Sequence, residues 1–84
     1  MYEVYLERAA EKDLRRLATE DFHRVISRVK NLKKNPRPPR CHKIAGSKRD
    51  WRIRVGNYRI LYEIDLKTKV VKVMRVKHRR EAYR

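Results

Sequence analysis

This sequence holds two glycines, one cysteine, one tryptophan and one phenylalanine, and its 10 acids face 25 bases. Each shortage excludes something. Two glycines cannot build the glycine-rich loop that cradles nucleotide phosphates. The lone Cys41 cannot form an internal disulfide, which agrees with a reducing compartment. With only His42 beside it and no acid near in sequence, Cys41 is also a poor nucleophile. His23, Cys41, His42 and His78 lack the spacing of a zinc site. Glu63 and Asp65 are expected on opposite faces of their strand, which leaves magnesium without a seat. No metal and no cofactor are expected. No apolar run is long enough for a signal peptide or a membrane span, so the chain reads as cytoplasmic, with no membrane association.

What is present is charge. The formal net charge is +15, and residues 40–84 carry fifteen of the bases but four of the acids. A field of this sign favours a polyanion, with nucleic acid ahead of an anionic membrane, and it suits an acidic protein partner that masks it. At 84 residues the chain is expected to be one domain, 1–84, burying a little over ~60% of its unfolded surface, too little for a large internal active-site cavity. Hydrophobic residues make up 40% and are spaced periodically, which predicts a folded chain rather than disorder.

Along the chain, residues 2–6 alternate as a short strand. Ala10, Leu14 and Leu17 form an apolar stripe on a helix over 8–18. Thr19 is placed as the N-cap of a second helix, with Glu20 and Asp21 in its first turn. Phe22, Val25, Ile26, Val29 and Leu32 form the core stripe of that helix, and Lys30, Lys33 and Lys34 lie at its C-terminal end. Pro36, Pro38 and Pro39 stop it. Residues 35–50 then read as a connection, basic through Arg37, Arg40, Lys43, Lys48 and Arg49, with Ile44 as its anchor in the core. Two period-2 runs, 51–55 and 58–65, flank Gly56-Asn57, the signature of a hairpin with a type I′ or II′ turn. Leu66 to Lys69 forms a turn, and Val70 to Lys77 a final strand. Its mixed alternation predicts either burial on both faces or a bulge.

Alternation puts Trp51, Ile53 and Val55 on one face of the hairpin and Arg52 and Arg54 on the other, while Ile60, Tyr62 and Ile64 oppose Arg59, Leu61 and Glu63. Three guanidinium groups thus collect beside a tight turn, backed by Arg75, His78, Arg79, Arg80 and Tyr83. Planar forks of permanently charged donors suit phosphate. Metal-free RNA cleavage needs an acceptor for the 2′-hydroxyl proton, a donor for the leaving 5′-oxygen, and positive charge around the phosphorane. Preorganised cations supply the last. Arginine is a poor proton acceptor at neutral pH, so the base stays open, with His78 one candidate. Tyr83 either stacks on a base, bonds the phosphate or ribose, or caps the sheet.

The order of elements, the run from Trp51 to Asp65 and the closing Val-Lys-His-Arg-Arg-Glu-Ala-Tyr resemble the RelE/ParE toxin superfamily, its RelE branch in particular, over essentially the whole chain. The most specific parts are Gly-x-Tyr-Arg-x-x-Tyr at 56–62 and His-Arg-x-Glu-x-Tyr at 78–83. The resemblance implies an α+β fold, β-α-α-β-β-β: an N-terminal strand, a two-helix hairpin, then an antiparallel sheet completed by a β-hairpin and a final strand. It implies one RelE-like toxin domain over 1–84, a toxin of a type II toxin–antitoxin system that enters the ribosomal A site. There it cuts mRNA to a 2′,3′-cyclic phosphate without metal. The implied catalytic set is Arg52, Arg54, Arg59, Arg79 and Tyr83. The basic residues beside it, Lys43, Lys48, Arg49, Arg75, His78 and Arg80, are expected from their charge to be further RNA contacts. The implied partners are a RelB-like antitoxin, the ribosome and mRNA. The ParE branch, which poisons DNA gyrase through protein contacts, and a non-catalytic RNA- or ribosome-binding module are the alternatives.

Overall fold

The computed structural model describes residues 1–82. Strand β1 (Glu3–Leu6) leads into helices α1 (Arg8–Arg15) and α2 (Thr19–Asn31), followed by strands β2 (Cys41–Lys43), β3 (Asp50–Val55), β4 (Tyr58–Asp65) and β5 (Val70–His78) and a short α3 (Arg79–Ala82). The sheet order is β1-β5-β4-β3-β2, with β1 parallel to β5 and every other pairing antiparallel. Both long helices cover one face. Ala10, Leu14, Val25, Val29 and Leu32 meet Ile53, Val55, Ile60, Tyr62, Ile64, Val71, Val73 and Val76 in one core. Among the described residues neither long helix covers the opposite face, and there the arginines of the hairpin stand.

The hairpin turn follows the dipeptide. Gly56 takes φ +59 and Asn57 is not among the residues with positive φ, the pattern of a II′ turn with glycine first. In β5 the irregularity is a bulge. Tyr62 pairs with Val73 and Leu61 with Arg75, so Met74 is the extra residue. That insertion shifts the side-chain parity by one, which lets Val71, Val73 and Val76 all reach the core.

Four local expectations are corrected. Helix α1 stops at Arg15, and Leu17 reaches the core half-buried from the turn that follows. The N-cap of α2 is Ala18, with extended φ −61 and ψ 154, so Thr19 is already helical and makes no capping bond. Phe22 belongs to the apolar stripe by spacing but is 36% exposed and lies outside the buried core, its ring edge to face with His23 at 5.8 Å. The connection over 35–50 is not all loop, since β2 pairs with β3 there. Its anchors are buried Pro36, whose carbonyl accepts the Tyr62 hydroxyl at 2.7 Å, and Cys41, which packs on the core; Ile44 is half-buried.

Strand β1 pairs with β5 only as far as Val73, which leaves the next stretch of that edge uncovered. Asp13 of α1 supplies the acceptor. Its carboxylate takes the Val76 N–H at 2.9 Å and the Arg75 Nε and Nη2 at 2.9 and 3.1 Å. Burial alone would raise the Asp13 pKa, but the bonds from Arg75 and Val76 and the charges of Arg75 and Arg16 outweigh it and hold it below the usual carboxylate value. A folded pKa below the unfolded one stabilises fully above the unfolded value, near pH 4, and the gain is lost as pH falls through the folded value. Asp13 is 11% exposed, so Asp13→Ala should cost about 2 kcal/mol at neutral pH. Paired thermal melts should show the gap between parent and variant closing below about pH 4. A gap unchanged down to about pH 2 would mean that the carboxylate charge contributes nothing.

Candidate nucleic-acid interface

Strand register builds the site. Arg54 lies opposite Arg59, and Arg59 in turn lies opposite Lys77, so three cations form a row across β3, β4 and β5 next to the turn. One step along, Arg52 is flanked by His42 of β2 and Leu61 of β4. Arg40, held at φ +75 just before β2, closes the end. Arg40, His42, Arg52, Arg54 and Arg59 line one open cleft of about 280 Å³. Among the described residues no carboxylate lines it. Arg59 is only 9% exposed although it is charged, and it lies on β4 between Arg54 of β3 and Lys77 of β5. The Arg54 Nε donates to the Gly56 carbonyl at 3.1 Å, which ties that side chain to the turn. Cations held by a sheet in this way cost no reorganisation when they meet an anion.

Of the expected site residues, Arg52, Arg54 and Arg59 come together in this cleft. Arg79 begins α3 at the same end of the sheet, its N–H donating to the Asn57 carbonyl at 2.7 Å, but its side chain does not line the cleft. Tyr83 lies outside the described residues. The six further RNA contacts are dispersed. Lys43 and Lys48 border a separate depression with Trp51 and Ile64. Arg49 sits between Glu63 and Asp65 at 4.0 and 3.9 Å, and Arg75 is engaged with Asp13. Arg80 is exposed beyond β5. His78 opposes Tyr58 on the helix-covered side, the two rings edge to face at 5.4 Å, and its Nδ1 accepts the Arg80 N–H at 3.3 Å. It lies across the sheet from the arginines.

Two residues of the cleft, Arg40 and His42, lie in the stretch 35–50 that the sequence presents as a connection. Cys41-His42-Lys43 is too short to display a period, and it is the pairing with β3 that sets Cys41 opposite Ile53 and His42 opposite Arg52. Glu63 and Asp65 also need correcting. They are two positions apart on one strand and therefore share a face, and the Arg49 guanidinium between them occupies the place a cation would take. Among the described residues no group of three His, Cys, Asp or Glu side chains is placed to hold a metal ion. Nor is any helix long and apolar enough to cross a membrane.

The family model for the ParE toxin of type II toxin–antitoxin systems, parDE, matches residues 4–83. Among solved structures, the archaeal RelE–RelB complex from Pyrococcus horikoshii superposes with a TM-score of 0.83 at 28% identity, covering 93% of this chain and 94% of that one. The RelBE2 toxin–antitoxin complex from Mycobacterium tuberculosis gives 0.81 at 26% identity, covering 92% and 96%. The intact RelBE complex of Escherichia coli gives 0.81 at 21% identity, covering 93% and 96%, a likeness of fold. No curated protein sequence matches the chain.

Proposed function

Because this chain belongs to the ParE toxin family of type II toxin–antitoxin systems, within the RelE/ParE superfamily, we propose that it arrests growth as a ribosome-dependent, metal-independent endoribonuclease. The observation that carries this reading is the cleft itself, where Arg52, Arg54 and Arg59 converge with no acid beside them among the described residues. Such a site binds a phosphodiester and stabilises the extra negative charge of its pentacoordinate transition state. In this reading the 2′-oxygen attacks the neighbouring phosphorus, the 5′-oxygen leaves, and a 2′,3′-cyclic phosphate remains. In the same reading Arg79 and Tyr83 complete the catalytic set, Arg79 neutralising the phosphorane and Tyr83 stacking on a base or bonding the phosphate or ribose. The cleft is open and shallow, so it cannot align RNA by enclosing it. Alignment supplies a large part of the rate in such a reaction, and the ribosomal A site supplies it here.

The second reading is a ParE-like inhibitor of DNA gyrase, favoured by the family model that matches the chain. One pair of assays separates the two. The purified protein should cut mRNA on programmed ribosomes and cut naked mRNA poorly, and it should leave gyrase supercoiling untouched. Inhibited supercoiling with uncut mRNA would reverse the order.

An antitoxin partner of RelB type follows from the complexes in which the similar toxins are found. A net charge of +15 draws an acidic segment, and a segment laid across the arginine face would block it. The toxin–antitoxin affinity should therefore fall between about 0.1 and 1 M salt, as the screening length shrinks from about 10 to 3 Å. An affinity indifferent to salt over that range would mean that apolar contacts dominate the complex.

A further inference from the structure

Four of the five residues lining the cleft are arginines, and a guanidinium keeps its proton throughout the neutral range. They can bind phosphate and offset charge, but none can accept the proton of a ribose hydroxyl. The fifth is His42. Imidazole is the side chain that exchanges a proton near neutrality.

Its position is set by β2. The pairing of Cys41–Lys43 with β3 puts His42 directly opposite Arg52, on the arginine face, while Cys41 opposes Ile53 on the core side. Strand β2 is the edge of the sheet, and His42 is exposed there, so a ribose lying over Arg52 can reach it. The other histidines are elsewhere. His78 is across the sheet, its Nδ1 already accepting the Arg80 N–H, and His23 lies on α2 against Phe22.

We propose that His42 is the proton acceptor of the cleavage reaction, an assignment that rests on the endoribonuclease reading above. Neutral His42 takes the proton of the 2′-hydroxyl as that oxygen forms its bond to phosphorus, and Arg52, Arg54 and Arg59 hold the phosphoryl oxygens. The bond from phosphorus to the 5′-oxygen then breaks, and its electron pair stays on the leaving oxygen. That oxygen takes a proton from water, and the hydroxide left behind is neutralised by the His42 imidazolium, which restores the starting state. Neither metal nor redox partner enters the balance. The charged groups facing His42 are Arg40 before β2, Arg52 and Arg54 on β3, and Arg59 on β4, so His42 is the one side chain lining this cleft that can pass a proton back and forth at neutral pH.

The test is single-turnover cleavage on programmed ribosomes across about pH 5.5 to 8.5, a span centred near the ordinary histidine pKa. Parent, His42→Gln and His42→Ala are compared, with ribosome binding and thermal melting measured in parallel. Loss of a positioned base should lower the rate by about 10²-fold to 10⁴-fold with ribosome binding retained. The parent rate should rise tenfold per pH unit on the acid limb, and both variants should lose that limb. Added imidazole should partly rescue His42→Ala, a result that a merely structural histidine would not give. If the parent cuts and both variants cut at its rate with its pH profile, His42 is not the acceptor and the endoribonuclease reading stands. If the parent does not cut mRNA on ribosomes, the endoribonuclease reading fails and this assignment fails with it.

Discussion

Replacing Arg59 by Met is expected to lower single-turnover cleavage on ribosomes by on the order of 10²-fold to 10³-fold, the loss seen when one preorganised donor to a developing charge is removed. The position of Arg59 sets this expectation. It is the most buried member of the cleft at 9% exposure, opposed by Arg54 on one side and Lys77 on the other, so the strand fixes its direction before substrate arrives. Arg54 and Arg52 stand nearer the sheet margin. Methionine keeps the apolar stem over the sheet and removes the charge, and thermal melts run in parallel separate a loss of chemistry from a loss of folding. A drop in kcat with ribosome affinity retained identifies a contact made in the transition state, whereas a raised KM alone identifies ground-state binding. Arg80→Ala, outside the cleft, serves as the contrast, with an effect within a few-fold. Parental cleavage by Arg59→Met would remove the arginine cleft from the chemistry.

Ile60→Ala should cost about 2–5 kcal/mol, through lost burial and the cavity left behind. Ile60 is 0% exposed, on the central strand pair between Ile53 and Val76. For a chain of this size each kcal/mol moves the midpoint by roughly 4–8 °C, so the variant should melt far below the parent. Phe22→Ala removes a larger side chain yet should cost much less, because Phe22 keeps a third of its surface in water. Comparing the two melts tests whether burial in this fold, and not hydrophobicity along the helix stripe, sets the energetics. Equal losses would contradict the two-layer core described above.

The same pair shows what was legible in the sequence. Local patterns fixed by neighbouring residues were readable: the Gly56-Asn57 turn, the inward set Ile53, Val55, Ile60, Tyr62 and Ile64, and the three arginines opposite them. The bulge at Met74 was visible as broken alternation, although which residue was extra depends on the partner strand. What the sequence hid depends on contacts between distant segments. Helix spacing placed Phe22 in the stripe but could not show that its ring lies outside the buried core. A three-residue strand is too short to display a period, so β2 was missed, and with it the arrival of His42 and Arg40 at the cleft. Asp13 and Arg75, 62 positions apart, gave no local sign that the arginine would be engaged. For Glu63 and Asp65 the signal was present, since a period of two puts both on one face.

The expected substrate logic is also physical. A cleft of about 280 Å³ on an exposed sheet face offers charge but little enclosure, so in the endoribonuclease reading the ribosome must present the RNA already aligned. Mapping the 3′ ends of mRNA recovered from programmed ribosomes after a single turnover tests this most directly. Breaks are expected within the A-site codon, ending in 2′,3′-cyclic phosphate, with naked mRNA under the same conditions largely intact. Equal cutting of naked mRNA, or intact mRNA alongside inhibited gyrase, would contradict that reading.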